Sequence, residues 1–338
     1  MSQPAPLRLV FLGSDSIAMA LLDWFVSDAG RVHAEVVGVF TQPDRPVGRG
    51  QKITPNAIKT WALARGLPVL QPEKVTDEVR AQLAALTPDV SLVMAYGHIL
   101  RDAFIAAPRL GTLNLHTSLL PKYRGASPIQ TAIASGERET GVTLMRIVRE
   151  LDAGPLADAE RVTIGALDTA PAMEAKLAAA CVPLVARSLP RLAAGELGFI
   201  EQNHAGADYC RRLEKNDGVL DFAAPAAVLA ARINGLFPWP TCSLMLLDQP
   251  VKIGLADVVE NFSPATPAAT PGMIIGADSH GLQIAAADGV LRLRQLQRPG
   301  GRMLPAGEFL RGFSVTVGTT AASHLMPPLL SPTPFPRR

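Results

Sequence analysis

From residue 7 to about residue 194 short β-like runs alternate with helix-like runs, and this alternation constrains the fold more than any other feature of the chain. Leu7–Leu12 is a compact apolar run ending at Gly13, and Ser16–Asp28 reads as a helix. Ala34–Phe40 (AEVVGVF), Val90–Met94 (VSLVM) and Thr112–His116 (TLNLH) are further β-like runs. The pattern predicts an α/β domain built on an open, Rossmann-like sheet with helices on both faces. In such sheets ligands bind beyond the carboxyl ends of the strands, so chemistry is sought at that edge.

Thr169–Ala194 is a long Ala/Leu-rich stretch of high helix propensity, which Pro171, Pro183 and Pro190 are expected to bend or divide. A domain boundary is expected near Gly206, giving a first domain over residues 1–206. From Val251 the character changes. VKIGLADVV, GMIIGA, LQIAAA and VLRLRQLQ are short β-like runs separated by turn residues, which suggests a small barrel or sandwich within residues 207–325. Pro225–Leu236 before them reads as a helix, and Asn261–Pro271 as a low-complexity loop. Residues 326–338 are Pro-rich, and a mobile tail is expected there.

The 338 residues are 48% apolar and 18% charged, enough to bury a core in each of two domains. A net charge of +2 rules out bulk polycation binding of nucleic acid, so any RNA contact must come from a local basic patch. Cys181, Cys210 and Cys242 form no CxxC pair and are odd in number, which supports neither a disulfide framework nor a zinc site. His33, His98, His204, His280 and His324 make no ligand-spaced pair, and no metal is expected. The apolar run before Ser14 is too short for a secretory core, and no stretch reaches membrane-spanning length. Cytoplasmic residence is expected.

Asn114 and His116 stand two apart at the end of a β-like run, so they face the same side. A lone histidine there reads as core, but a same-face polar pair at a strand end reads as a site. Ser118–Gly125 (SLLPKYRG) then forms a tight loop, and Ser127-Pro128 looks like an N-cap with Pro at the first helical position. Leu151-Asp152-Ala153-Gly154 is by itself ordinary turn chemistry, but near His116 its carboxylate could orient an imidazole and favour its charged form. Thr41–Lys52 holds Arg45, Arg49 and Lys52 against Asp44 alone, and composition leaves a solvated loop and a phosphate-contacting loop equally open. After Gly13 no glycine occurs until Gly30, so GxGxxG is absent and a nicotinamide dehydrogenase is disfavoured.

These residues bring a family into view. Residues 7 to about 315 resemble the methionyl-tRNA branch of the folate-dependent formyltransferases. Gly111–Gln130 (GTLNLHTSLLPKYRGASPIQ) carries Asn-x-His and Ser-Leu-Leu-Pro elements, and Leu151–Gly154 a Leu-Asp-x-Gly element, shared with the ribonucleotide and sugar-nucleotide branches. Val39–Gln51 resembles the loop inserted in the tRNA branch. Phe237–Pro240 and Pro271-Gly272 resemble landmarks of its second domain, an oligonucleotide-binding (OB)-type barrel. Two departures stand out: Ser14-Asp15 where Thr-Pro is usual, and Pro155 after the Asp element.

The resemblance implies a formyltransferase that uses 10-formyltetrahydrofolate as formyl donor and initiator methionyl-tRNA as acceptor, with no metal. It implies Asn114, His116 and Asp152 as the catalytic trio, with His116 held protonated by Asp152. It implies folate against Ser118, Leu119, Leu120, Pro121, Tyr96, Gly97, Ile99 and Leu100, and tRNA against Arg45, Arg49 and Lys52. Two alternatives stay open: a formyltransferase for a sugar-nucleotide or ribonucleotide amine, and a tRNA-binding protein without catalysis.

Overall fold

The computed structural model describes residues 5–47, 50–260 and 269–335. Its N-terminal strands are β1 (Leu7–Gly13), β2 (Ala34–Phe40), β3 (Arg45–Val47), β4 (Lys52–Thr54), β5 (Val69–Leu70), β6 (Val90–Met94), β7 (Thr112–His116), β8 (Glu139–Arg146) and β9 (Leu156–Thr163). Seven of them form one sheet in the order β9-β8-β7-β6-β1-β2-β5. The pairs β1–β2, β1–β6, β6–β7 and β2–β5 are parallel, while β8 runs antiparallel to β7. This is the expected α/β sheet. Leu9, Val10, Phe11 and Leu12 are all fully buried, as a strand covered on both faces must be. Each such side chain contributes about 1.5–3 kcal/mol by leaving water.

From β1 the chain builds outward through β2 and β5, then returns to lay β6 on the other flank of β1. The strand order therefore reverses between β1 and β6. Connections leave in opposite directions there and open a crevice at the carboxyl ends.

The helix expected over Ser16–Asp28 is broken into three pieces. A single 3-10 turn, Ser16–Ala18, is capped by Asp15, whose side chain accepts from the Ile17 N–H at 2.9 Å. The helix Met19–Phe25 follows, and Ser27, in extended conformation, starts a separate turn at Asp28–Arg31. Ser and Asp accept from the bare N–H groups of a first turn, so each restarts the helix. Asp15 thus has a structural role at one of the two departures. The reverse correction applies to Thr169–Ala194: Ala170–Ala193 is one continuous helix with Pro183 and Pro190 inside it. Both prolines lie on its exposed face, while Leu177, Cys181, Leu184, Val185, Leu189 and Leu192 are buried at helical spacing. Packing of that stripe outweighs the two missing N–H groups.

The chain separates into two compact units that interleave in sequence. One comprises Met1–Arg124, Gly141–Val162 and Ala175–Ala207; the other comprises Gly125–Thr140, Thr163–Glu174 and Asp208–Arg338. The second unit holds β10 (Cys242–Leu246), β11 (Gln249–Val258), β12 (Ile274–Ala277), β13 (Leu282–Ala285), β14 (Val290–Gln297) and β15 (Leu304–Pro305). They form an antiparallel half-barrel in the order β10-β11-β14-β13-β12, with β15 on β14. Val251, Ile253, Leu291, Leu293 and Leu296 pack in one core with Leu229, Ile233 and Leu236 of the helix Ala226–Leu236. The β11–β14 register shifts between Ile253 and Leu255 and again between Leu255 and Ala256, an irregularity that passes over Gly254 while Ala256 stays opposite Leu293. Beside it Asn234 pairs both backbone groups of Ala256: its Oδ1 accepts from the Ala256 N–H and its Nδ2 donates to the Ala256 carbonyl, both at 2.9 Å.

The expected mobile tail is a correction as far as Phe335. Leu330–Ser331 pairs antiparallel with Tyr209–Cys210, Leu329 is buried, and Arg232 donates to the Pro327 carbonyl at 3.0 Å. Most of the low-complexity loop, residues 261–268, lies outside the described residues.

Candidate functional site

β7 carries the site because of where it sits. Its parallel neighbour β6 places Val93 opposite Asn114, and β8 places Met145 opposite Asn114 and Thr143 opposite His116. The Asn114 and His116 side chains therefore leave the same face at the carboxyl end of an interior strand. Asn114 is half-buried, and its amide makes no hydrogen bond among the described residues. His116 is buried.

The imidazole is held from both sides. Nε2 lies 2.9 Å from the Tyr123 carbonyl oxygen, which can only accept, so Nε2 carries a hydrogen. Tyr123 reaches this position through a left-handed backbone, φ 60°. Nδ1 faces Asp152 Oδ2 at 3.7 Å, within ion-pair reach but beyond a direct hydrogen bond. Both ring nitrogens thus face oxygen acceptors.

Asp152 also has a left-handed backbone, φ 49°, which aspartate tolerates better than most residues. Gly154 explains the last position of the Leu-Asp-x-Gly element. A Cβ there would lie 2.0 Å from the Arg146 carbonyl oxygen, so only glycine lets the loop lie on β8.

The loop after β7 is tied down by Thr143. Its hydroxyl donates to the Ser118 carbonyl at 2.7 Å and accepts from the Leu120 N–H at 3.2 Å. Ser118 Oγ donates to the Lys122 carbonyl at 2.7 Å, so this hydroxyl is spent on shaping the loop. Leu120 is buried, while Leu119 and Pro121 are half-buried. Ser127 does not cap the next helix as expected: Pro128 is at its start, but the Ser127 hydroxyl donates to the Arg211 carbonyl.

Tyr96–Leu100 leaves β6 at the same sheet edge. The Tyr96 ring points into the core with Val10, Phe40 and Phe104, and burial pushes its phenol up. Its carbonyl accepts from Ser14 Oγ at 3.3 Å and Gln42 Nε2 at 3.1 Å. Gly97 and Ile99 are exposed and Leu100 is half-buried. A Cβ on Gly97 would meet only Gln42 Nε2, at 3.5 Å, so a flat ring could approach this backbone.

The basic loop is a hairpin. β3 pairs with β4, placing Arg45 opposite Thr54 and Val47 opposite Lys52. Arg45 and Lys52 are exposed; Arg49 lies outside the described residues. Sequence reasoning missed the anchor of this hairpin. Asn56 Nδ2 donates to Thr41 Oγ1 at 2.8 Å, Gln71 Nε2 donates to the Gln42 carbonyl at 2.8 Å, and Lys59 pairs with Asp44 at 2.6 Å. The Lys59 ammonium and the Gln71 amide hold the Asp44 carboxyl below its ordinary value of 3.8.

One residue far from the motifs also escaped that reading, and it acts through one inside them. Arg124 and Gln202 are buried beside the Asp152 loop, and no local pattern marks Gln202. The three cysteines are buried, and none is in a disulfide. Among the described residues no His/Cys/Asp/Glu group could hold a metal ion, and no helix is long and apolar enough to cross a membrane.

Two family models match the chain, one described as formyl transferase over residues 7–187 and one as formyl transferase, C-terminal domain, over residues 212–314. The methionyl-tRNA formyltransferase of Aromatoleum aromaticum is 42% identical over 315 residues, covering 93% of this chain and 96% of that protein. That of Bordetella bronchiseptica is 42% identical over 318 residues, covering 91% of this chain and 99% of that protein. Among solved structures, the sugar 3N-formyl transferase WlaRD, determined in the presence of dTDP and 5-N-formyl-THF, aligns with a TM-score of 0.62. It is 18% identical and covers 86% of this chain and 97% of that one, a likeness of fold alone.

Proposed function

The chain belongs to the methionyl-tRNA formyltransferase family, and from that premise we propose that it transfers the formyl group of 10-formyltetrahydrofolate to the α-amine of initiator methionyl-tRNA. The product is N-formylmethionyl-tRNA for translation initiation in the cytoplasm. The observation that carries this reading is the free amide of Asn114 beside an imidazole whose two nitrogens face acceptors.

The acceptor needs only modest activation, because an α-amine with a reference pKa of about 7.7–8.0 already has roughly 10–17% neutral form at pH 7. What the protein must supply is position and stabilisation of the oxyanion that forms as the amine attacks the formyl carbon. Asn114 donates an amide N–H to that oxyanion. His116 is the second donor, from Nδ1, since Nε2 is engaged with Tyr123. The Nδ1 proton then passes to the departing N10. Asp152 stabilises the imidazolium and orders the water that takes the proton lost by the amine.

The folate occupies the carboxyl edge between the Ser118–Pro121 loop and the Tyr96–Leu100 segment, with its ring against the bare backbone at Gly97 and the exposed Ile99. Arg45, Arg49 and Lys52 follow the acceptor-stem phosphates. The unit that carries Asn114, His116 and Asp152 is the catalytic one, and the other, C-terminal unit supplies a further tRNA surface.

The test supplies 10-formyltetrahydrofolate with methionyl-tRNA, and separately with free methionine. N-formylmethionine is expected only on the tRNA. Formylation of free methionine at an equal rate, or of neither, contradicts the assignment.

A further inference from the structure

We propose that Gln202 is a positioning residue for the reaction: it clamps the peptide groups around Asp152 and thereby fixes that carboxylate against His116, while Arg124 locks Gln202 in the one orientation that does so. This rests on the catalytic reading of Asp152 given above.

Gln202 uses its amide fully. Nε2 donates to the Asp152 carbonyl at 2.8 Å and to the Gly154 carbonyl at 2.7 Å, so both hydrogens grip the Asp152–Gly154 turn. Oε1 accepts from Arg124 Nε at 3.2 Å and Nη2 at 2.6 Å. The amide cannot be reversed. Reversal would set Nε2 against a guanidinium, which only donates, and Oε1 against two carbonyls, which only accept. Gln202 is 5% exposed and Arg124 2% exposed, so water does not compete for these bonds. Arg124 Nη2 also donates to His204 Nδ1 at 3.1 Å.

The chain order gives the arrangement its purpose. Tyr123 and Arg124 are consecutive. The first holds the imidazole through its carbonyl, and the second holds the Asp152 turn through Gln202. One dipeptide therefore sets both members of the pair. The pair needs this, because its separation of 3.7 Å leaves no direct bond to enforce alignment and the Asp152 backbone is left-handed. Without Gln202, the Asp152 and Gly154 carbonyls lose the donor they share and the turn has reason to move.

The experiment is a double-mutant cycle in the full chain, measuring kcat at saturating 10-formyltetrahydrofolate and methionyl-tRNA, both KM values and the thermal midpoint. Gln202→Glu keeps an acceptor for Arg124 but sets an oxygen against the two carbonyls. It is expected to lower kcat about 10–100-fold, the scale of a misplacement near 1 Å, with both KM values little changed; the midpoint falls too, because two carbonyls lose the Gln202 donor, and the coupling to Asp152 in kcat is what separates positioning from stability. In an Asp152→Asn background the same change is expected to lower kcat less than about 3-fold, because the carboxylate it positions is already gone. Arg124→Lys, which keeps a buried cation but loses the fork, is run alongside and is expected to show the same non-additivity; it decides the matter if Gln202→Glu does not fold. Wild-type kcat in the Gln202 variant, or effects that multiply across the two backgrounds, overturn the proposal alone. Full activity of Asp152→Asn overturns the catalytic reading and this proposal with it.

Discussion

At the scale of single residues, Asn114 is assigned the most with the least. It is uncharged, half-buried and without a hydrogen bond among the described residues, so its amide is available to a developing oxyanion. Asn114→Ala is expected to lower the single-turnover rate about 10²–10³-fold, the scale for one oxyanion donor, with the folate dissociation constant unchanged. A near wild-type rate in a folded variant would remove Asn114 from the mechanism. Asn234 shows the structural use of the same side chain. Asn234→Ala leaves both backbone groups of Ala256 unpaired, and is expected to destabilise the protein by about 1–3 kcal/mol in urea unfolding without changing kcat. Asn114 and His116 were legible because spacing of two puts them on one strand face. Gln202 was not, since it lies 78 residues from Arg124 in sequence and only the fold brings them together.

At the scale of elements, the strands buried on both faces were the easiest to read. Ala34–Phe40, Val90–Met94 and Thr112–His116 are short, mostly buried runs bounded by turn residues and fall where the sequence pattern puts them. Leu156–Thr163 (LADAERVT) passed unseen because its side chains are largely half-exposed and charged, leaving neither a run nor a clean alternation. The β3–β4 hairpin was hidden for another reason: its anchor is a polar network of Gln42, Asp44, Asn56, Lys59 and Gln71, which has no periodicity. Arg49→Ala and Lys52→Ala are each expected to reduce kcat/KM for methionyl-tRNA, leave folate binding intact, and flatten the salt dependence of tRNA binding by about one unit of slope. Wild-type behaviour across a salt series would make the hairpin a solvated face. The anchor also has a pH signature. The folded-state pKa of Asp44 is depressed below 3.8, so its contribution is complete at neutral pH and is lost only as pH falls through that lowered value. Changes in tRNA use between pH 5 and 8 are therefore not expected to arise from Asp44.

At the scale of the whole molecule, the sheet supplies the edge and the sequence decorates it. β1, β2, β6 and β7 are parallel neighbours, so Ser14, Gln42, Tyr96–Leu100 and Ser118–Pro121 all follow the same ends of the sheet. A linear reading finds the edge but not the interleaving: Gly125–Thr140 and Thr163–Glu174 belong with the C-terminal unit. The reason is local and physical. A Cβ on Gly235 would lie 2.6 Å from Ala134 N and Gln130 O, so the helices Pro128–Ala134 and Ala226–Leu236 touch backbone to backbone. No composition shift announces such a contact. This edge is assigned to formylate an amine presented by tRNA and not by a small molecule. Offering labelled 10-formyltetrahydrofolate to the protein with methionyl-tRNA and a dTDP-linked amino sugar in one mixture tests it most directly. Label is expected in N-formylmethionyl-tRNA alone; label accumulating in the sugar nucleotide would overturn the assignment.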